Sequence, residues 1–177
     1  MQLITVGHGT ADREQFGALL HGAGVETLAD VRRFPGSRRN PDTGREALQE
    51  WLPAGAIDYL WFEGLGGRRR PSADEPELDG WWRVAQFRAY AAYTRTGEFE
   101  AALVDLRAVA AQRRTAIMCS ESVWWRCHRR IIADVLVLLH GFEVSHLMHD
   151  GRLTPHEPSG GSRVSGDAVF WDGQRQL

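Results

Sequence analysis

The densest group of reactive side chains in this sequence lies within residues 115–140. Both cysteines of the chain, Cys119 and Cys127, fall in this segment, with Glu121 between them and His128 directly after the second. A thiol near the start of a helix and beside arginines should have a lowered pKa, because the helix dipole and the positive charge favour the thiolate. We therefore predict that this segment forms the centre of a catalytic or binding site.

The sequence leaves the role of these residues open. Cys127 could act as a nucleophile, a ligand or a redox partner of Cys119, and both thiols could equally be small buried side chains. Glu121 could act as a general base or bind a ribose or an amine, and it could instead cap the following helix. Since successive helical side chains point about 100° apart, Cys127, His128 and Arg129 are not expected to face one ligand together. We expect Cys127 and Arg129 to face inward.

The basic residues indicate an anionic substrate. All 21 are arginine, so the sequence excludes Schiff-base chemistry on lysine and a lysine general base. Eleven of them lie in loops at predicted strand ends, where forked guanidinium groups suit phosphate or carboxylate. The glycine-rich loop at residues 64–67 could complete a phosphate cradle, although it matches neither a P-loop nor a dinucleotide fingerprint. The alternative is a solvated rim without a ligand.

The residue spacing does not support two other kinds of site, a compact zinc module and a cysteine phosphatase site. The two cysteines and several histidines are potential metal ligands, but the chain lacks the two closely spaced pairs of a compact zinc module. We therefore predict no metal site and leave the cofactor unassigned. The interval from Cys119 to Arg126 also misses the Cys-x5-Arg phosphatase spacing by one residue.

Alternating strand and helix patterns predict an α/β fold: a single three-layer domain with a mainly parallel five-stranded sheet and helices on both faces. Strands are predicted over residues 3–6, 25–31, 57–62, 116–119 and 144–148, and a further short strand over 168–171. Helices are predicted after residue 12, over 46–52, 81–93 and 98–112, and from about residue 125. Pro53 is expected to stop the second helix. The domain spans residues 1–177, with a core at about 3–149 and a C-terminal extension at 150–177.

In such folds the ligand crevice lies beyond the carboxyl ends of the strands. Five predicted strands are followed by residues that can bind or react, which supports a crevice there. We predict as catalytic residues Glu121, Cys127, Cys119 and Asp30, as anion-binding residues Arg32, Ser37, Gly66, Gly67 and Arg129, and as further crevice residues His8, His128 and His146.

The order of several short motifs resembles one protein family. These motifs are Thr5-Val6-Gly7-His8, Asp30-Val31-Arg32 with Pro35 and Ser37, Leu65-Gly66-Gly67, the Phe87, Tyr90 and Tyr93 region, Cys119-Ser120-Glu121, Cys127-His128-Arg129, His146, and Gly151 with His156. Together they are similar to the domain-of-unknown-function family 488 over roughly residues 4–156. The resemblance implies a family and a set of site residues, but no known reaction.

Composition and targeting signals favour a cytoplasmic protein. A hydrophobic content of 43% and a charged content of 25% are ordinary for a globular domain. The N-terminus lacks the pattern of a signal peptide, and the longest apolar run is far shorter than the ~20 residues that span a bilayer. We expect no membrane partner, and the sequence does not indicate an oligomeric state.

Three functional hypotheses follow. The first is an enzyme that acts on a phosphate-bearing substrate, such as a nucleotide or a nucleic-acid end. The second is a non-catalytic nucleotide- or nucleic-acid-binding module that uses the same arginines. The third is a thiol-redox or metal-binding protein that uses Cys119 and Cys127. Aromatic residues within 81–93 could stack on bases, but helical spacing is also typical of core residues.

Overall fold

Five parallel strands and one antiparallel edge strand form the central sheet of the protein. The computed structural model describes residues 1–36, 40–70 and 78–173, and within them the strand order is β3-β2-β4-β1-β5-β6. The strands are β1 (Gln2–Gly7), β2 (Thr27–Asp30), β3 (Asp58–Trp61), β4 (Thr115–Cys119), β5 (Glu143–Leu147) and β6 (Leu153–Pro155). A separate hairpin consists of β7 (Ser162–Ser165) and β8 (Ala168–Trp171).

The predicted fold class is confirmed, with one more strand than expected. The five predicted sheet strands all form and pair in parallel. The additional strand, β6, pairs antiparallel with β5. Its three residues are all exposed and end in a proline, so they give no apolar alternation by which a strand could be recognised.

Five helices cover the sheet in the described part of the chain: α1 (Arg13–Gly22), α2 (Arg45–Ala54), α3 (Ala85–Tyr93), α4 (Gly97–Ala110) and α5 (Arg129–His140). Asp12 and Gln15 form a capping box that fixes the start of α1. Pro53 lies inside the last turn of α2, and the helix ends one residue later, at Ala54. The prediction that Pro53 stops this helix was therefore wrong. A short 3-10 turn (Trp124–Arg126) precedes α5, so that helix starts later than predicted.

Each face of the sheet has its own hydrophobic cluster, because neighbouring strand residues point to opposite faces. Leu3, Val31 and Ile117 pack with apolar residues of α3, α4 and α5. Leu28 and Met118 pack on the other face with residues of α1 and α2. The strands are therefore apolar on both sides, as expected for a covered parallel sheet. This arrangement confirms the predicted three layers.

The aromatic residues of the α3 region are mainly core residues. Trp82, Tyr90 and Tyr93 are buried in the cluster that α3 shares with α4 and α5. Tyr90 and Tyr93 donate hydrogen bonds from their hydroxyls to the carbonyls of Leu65 and Gly64, at 2.6 Å each. The packing alternative is therefore the correct one for these three side chains. None of the helices in the described ranges is both long enough and apolar enough to cross a bilayer.

The C-terminal segment is attached to α5 through one buried carboxylate. Asp134 is fully buried and accepts hydrogen bonds from His156 Nε2 at 2.8 Å, the Ser159 amide at 2.9 Å and Trp171 Nε1 at 2.8 Å. Val169 and Trp171 belong to the same hydrophobic cluster as the helix. Residues after 149 therefore contribute to the core on this face of the sheet.

We predict that Asp134→Ala lowers the free energy of unfolding by about 3–5 kcal/mol, because it leaves three buried donors without an acceptor. Urea denaturation monitored by tryptophan fluorescence measures this change. Asp105→Ala, at an exposed position of α4, is the matched control and should change stability by less than about 0.5 kcal/mol. Similar stability in the two variants would contradict the assignment of Asp134 as the attachment point.

Candidate functional site

A cavity of about 190 Å³ lies beyond the carboxyl ends of β2 and β4, where the sequence predicted a crevice. Six predicted site residues line it: Arg32, Gly67, Cys119, Glu121, Cys127 and His128. Its remaining lining residues are Arg33, Phe34, Arg68, Gln86, Phe87, Tyr90, Ser120 and Arg126. The structure therefore brings together reactive groups from the end of β4 and the start of α5.

Cys119, Cys127 and His128 form a compact group at the floor of the cavity. His128 Nδ1 lies 3.9 Å from Cys119 Sγ and 3.6 Å from Cys127 Sγ. The other ring nitrogen, Nε2, lies 2.9 Å from the carbonyl of Val31. Since a carbonyl only accepts, Nε2 carries a proton, and Nδ1 faces the two sulfurs. The Val31 carbonyl therefore fixes the orientation of the His128 ring.

The two sulfurs have opposite proton affinities. The pKa of Cys119 is raised well above its ordinary value, because its thiol is hydrogen-bonded to Cys127 and buried. Burial alone would raise the pKa of Cys127 as well. The hydrogen bond from Cys119 and the positive charges of His128 and Arg129 outweigh burial and hold the pKa of Cys127 well below its ordinary value. The pair is therefore one thiol and one thiolate, with Cys127 as the more nucleophilic sulfur.

Arg129 supplies the charge next to this thiolate. Its side chain is 1% exposed, and Nε donates to Cys127 Sγ at 3.3 Å. Nη2 donates to the carbonyl of Glu121 and Nη1 to Thr5 Oγ1 at 3.5 Å. No carboxylate of the described residues forms a salt bridge with Arg129. The main negative group beside this guanidinium is the sulfur of Cys127.

His128 and Arg129 both contact the sulfur of Cys127 because Cys127 is not helical, and of the three residues only Cys127 and His128 line the cavity. The backbone of Cys127 is extended, with φ −128° and ψ 148°, and α5 begins only at Arg129. The change from extended to helical backbone at this point turns both following side chains back toward the cysteine sulfur. All three residues therefore meet at one atom.

A buried chain of hydrogen bonds continues from Arg129 to Asp134. Thr5 Oγ1 lies 2.7 Å from His146 Nδ1, and His146 Nε2 lies 2.9 Å from His156 Nδ1. His156 in turn reaches Asp134. Each link can be satisfied with every group donating toward the carboxylate. The sequence indicated His146 but not the roles of Thr5, His156 and Asp134, because these residues lie far apart along the chain.

Trp124 covers this chain. Its indole stacks on the His146 ring with centroids 3.9 Å apart and an interplanar angle of 5°. Burial, together with the charges of His156 and Arg129, lowers the pKa of His146 to about 3. The histidine is therefore held neutral, which fits this direction of the hydrogen-bond chain.

Asp30, Arg32 and His8 form a second buried group. Arg32 binds Asp30 through Nε at 2.8 Å and Nη2 at 2.6 Å, and Tyr59 donates to the same carboxylate at 2.7 Å. His8 Nε2 lies 3.3 Å from Arg32 Nη1. Burial and Arg32 lower the pKa of His8 to about 4. Arg32 reaches the cavity wall, whereas both oxygens of Asp30 are engaged inside the protein, so Asp30 is placed to position Arg32.

The glycines named as anion-binding residues act mainly through close packing. A Cβ at Gly67 would lie 2.9 Å from His128 Nδ1, and one at Gly66 would lie 2.7 Å from the backbone of Arg33. Gly7 is required for a similar reason, because a Cβ there would lie 1.8 Å from the carbonyl oxygen of Glu121. Ser37 lies outside the described residues. Small residues here let the loops approach the site closely.

Arg33, Arg68 and Arg126 form a positive rim around the cavity. Within residues 1–36, 40–70 and 78–173, no carboxylate lies within salt-bridge distance of these three guanidinium groups. Arg69 differs, since it pairs with Glu98 at 3.5 Å and stacks on Tyr93. Glu121 is the single carboxylate among the residues that line the cavity, and its side chain is exposed there. The rim is therefore suited to bind an anion.

We predict that stability falls between about pH 6.5 and pH 4, because His8 and His146 stay neutral in the fold and become protonated when unfolded. Each contributes stability that is complete above pH 6.5 and is lost on acidification, by about 1.4 kcal/mol per pH unit. Urea denaturation at fixed pH values measures the slope. His146→Gln should be less stable than the wild type at pH 7. The pH dependence of its free energy of unfolding should be smaller by the contribution of one group, about 1.4 kcal/mol per pH unit. An unchanged slope in this variant would contradict the burial of a neutral His146.

Comparison with known proteins identifies one family. The family model described as "Domain of unknown function DUF488" matches residues 12–136. This range contains Asp30, Arg32, both cysteines and Arg129, whereas His8 and His146 lie outside it. No curated protein and no solved structure matches the chain. Because the family match covers more than half of the chain and includes the cavity floor, the protein belongs to the DUF488 family, as the order of its motifs indicated.

Proposed function

We propose that this protein is an enzyme that acts on a phosphate-bearing substrate, a nucleotide or a nucleic-acid end, in the cavity at the carboxyl ends of β2 and β4. The observation that carries the proposal is that anion-binding arginines and reactive side chains line the same cavity. Arg33, Arg68 and Arg126 line the same cavity as Cys119, Cys127, His128 and Glu121. An anion bound by the rim is thus held directly beside the reactive group.

The size of the cavity supports a small reacting group. Pockets for drug-sized ligands measure about 300–1,000 Å³, whereas this one measures about 190 Å³. The cavity can hold a phosphate group and the atoms bonded next to it, while the rest of a nucleotide or of a nucleic-acid strand would lie outside. Phe34 is exposed at the edge of the cavity and offers a face on which a base could stack.

The roles of the residues follow from their positions. Rim arginines bind the phosphate oxygens by charge-assisted hydrogen bonds. Glu121 is placed to accept a proton from an attacking water or hydroxyl. Cys127 and His128 lie at the floor of the cavity beneath the bound phosphate, and Arg129 holds the cysteine sulfur in place. We further propose that the protein works in the cytoplasm, where both buried cysteines would stay reduced.

Thiol-redox chemistry is a second candidate, because the Cys119 and Cys127 sulfurs lie within 4.8 Å of each other. It requires that the two thiols react with an oxidant and form a reversible disulfide. Thiol titration before and after mild oxidation distinguishes it from the first proposal. Turnover of a phosphate substrate under permanently reducing conditions favours the phosphate enzyme.

We predict that Glu121→Gln lowers kcat by about a hundredfold or more, since general acid–base catalysis contributes roughly that much. The assay is product formation from nucleotides and from oligonucleotides with 5′- or 3′-terminal phosphates. Glu50→Gln, at an exposed position of α2, is the matched control and should leave kcat unchanged. Preserved fold with preserved kcat in Glu121→Gln would remove this residue from the catalytic role.

We predict that the double variant Arg68→Gln, Arg126→Gln weakens binding of adenosine 5′-monophosphate by about tenfold or more, because two charge-assisted contacts are lost. Isothermal titration calorimetry measures the affinity. Arg152→Gln removes an exposed arginine outside the cavity and should have little effect. Equal affinity in the double variant and the control would refute the rim as the phosphate site.

The same measurements identify a non-catalytic binding module. In that case the rim variant would still lose affinity, and binding would depend steeply on salt. Glu121→Gln and Cys127→Ser would bind as tightly as the wild type, and no phosphate substrate would be turned over. This outcome would retain anion binding and reject the enzyme.

A further inference from the structure

We infer that Cys119, Cys127 and His128 bind a divalent metal ion, with zinc as the best match, and leave a fourth coordination position open to the cavity. The three ligand atoms, two Sγ and one imidazole nitrogen, all lie within 4.8 Å of one another. The assignment of the ligands is independent of the proposed function, while the role given below to the fourth position rests on it.

The distances match tetrahedral coordination. Zn–S bonds of about 2.3 Å and a Zn–N bond of about 2.0 Å place sulfur and nitrogen about 3.5 Å apart at two corners of a tetrahedron. His128 Nδ1 lies 3.6 Å from Cys127 Sγ and 3.9 Å from Cys119 Sγ. The two sulfur–nitrogen distances therefore need shifts of only a few tenths of an ångström to hold an ion, and the two sulfurs lie within 4.8 Å of each other.

The groups behind the ligands also fit a metal centre. The Val31 carbonyl accepts from His128 Nε2, which leaves Nδ1 free to coordinate and holds the ring in place. A carbonyl or carboxylate partner on the distal nitrogen is the usual support for a metal-bound histidine. Arg129 donates to Cys127 Sγ at 3.3 Å and so offsets part of the thiolate charge. Gly67 provides the space that this ring position requires.

The ligand set is typical of a catalytic site. Two thiolates and one imidazole favour zinc among the common divalent ions, and three protein ligands leave one position for water or substrate. All three ligand residues line the cavity, so that position faces the arginine rim. Under the proposed function, a metal-bound water there would be the nucleophile, and Glu121 would accept its proton.

The spacing of the ligands explains why the sequence did not indicate this site. Cys127 and His128 are adjacent, and Cys119 lies on the preceding strand, so the two closely spaced pairs of a zinc module are missing. The extended backbone at Cys127 brings the adjacent side chains together. The site is built by the β4–α5 connection and not by a short motif.

The experiment is metal analysis of untagged, full-length protein purified without chelators, followed by cobalt substitution. We expect about one zinc ion per chain by mass spectrometry. We also expect thiolate-to-cobalt charge-transfer absorption and the intense visible bands of tetrahedral cobalt. Cys119→Ser, Cys127→Ser and His128→Gln should each lose stoichiometric binding. His140→Gln, at a half-buried histidine outside the cluster, should retain it.

Absence of stoichiometric zinc, together with absence of thiolate–cobalt absorption in the reduced wild-type protein, would overturn the inference. If a cysteine variant fails to fold by circular dichroism, the wild-type cobalt spectrum and the His128→Gln variant decide the question. Metal binding without phosphate binding would retain the metal site and reject the proposed function. Arginine-dependent turnover in fully metal-free protein would retain the proposed function and reject the catalytic role given to the fourth coordination position.

Discussion

The contact between Arg129 and the sulfur of Cys127 is the constraint around which the site is built. Transfer of a guanidinium charge into a protein interior costs several kcal/mol unless a negative partner and hydrogen-bond acceptors compensate for the lost water. Here the acceptors are Cys127 Sγ, Thr5 Oγ1 and the Glu121 carbonyl. Since no carboxylate of the described residues pairs with Arg129, a neutral thiol at position 127 would leave this charge poorly compensated. The arginine and the thiolate therefore stabilise each other.

The hydrogen-bond chain behind Arg129 extends this constraint through the protein. It runs through Thr5 on β1, His146 on β5 and His156 in the C-terminal segment, and ends at Asp134 on α5. The guanidinium of Arg129 and the carboxylate of Asp134 are the two ends of the chain, and Thr5 and the two histidines connect them. Arg129 and Asp134 both belong to α5, so the chain ties that helix to two central strands and returns to it. The position of the cysteine sulfur thus depends on residues far from the cavity.

The sequence predicted the parts of this structure that follow from local pattern. Apolar runs located the parallel strands, and the rule for ligand sites in such sheets located the cavity. Contacts between distant residues could not be predicted in this way. In the sequence, Asp134 is one polar residue in an apolar helix, and only the folded structure shows the three groups that donate hydrogen bonds to it. Asp30 and Arg32 were expected to face a ligand because they end a strand; their side chains pair in the interior, and of the two only Arg32 lines the cavity. The convergence at Cys127 depended on an extended residue before a helix, which residue type alone does not determine.

The charge at the cavity floor links the metal centre to anion binding. Without a metal, one thiolate and Arg129 cancel, and the floor is close to neutral. A divalent ion displaces the remaining thiol proton, so two thiolates, Arg129 and the ion together carry about one positive charge. This charge lies beneath Arg33, Arg68 and Arg126 in the same cavity. Positive charges inside a low-dielectric cleft attract an anion more strongly than arginines that are surrounded by solvent do. The metal and the arginine rim would therefore strengthen phosphate binding together, so metal removal should weaken it even with every arginine in place.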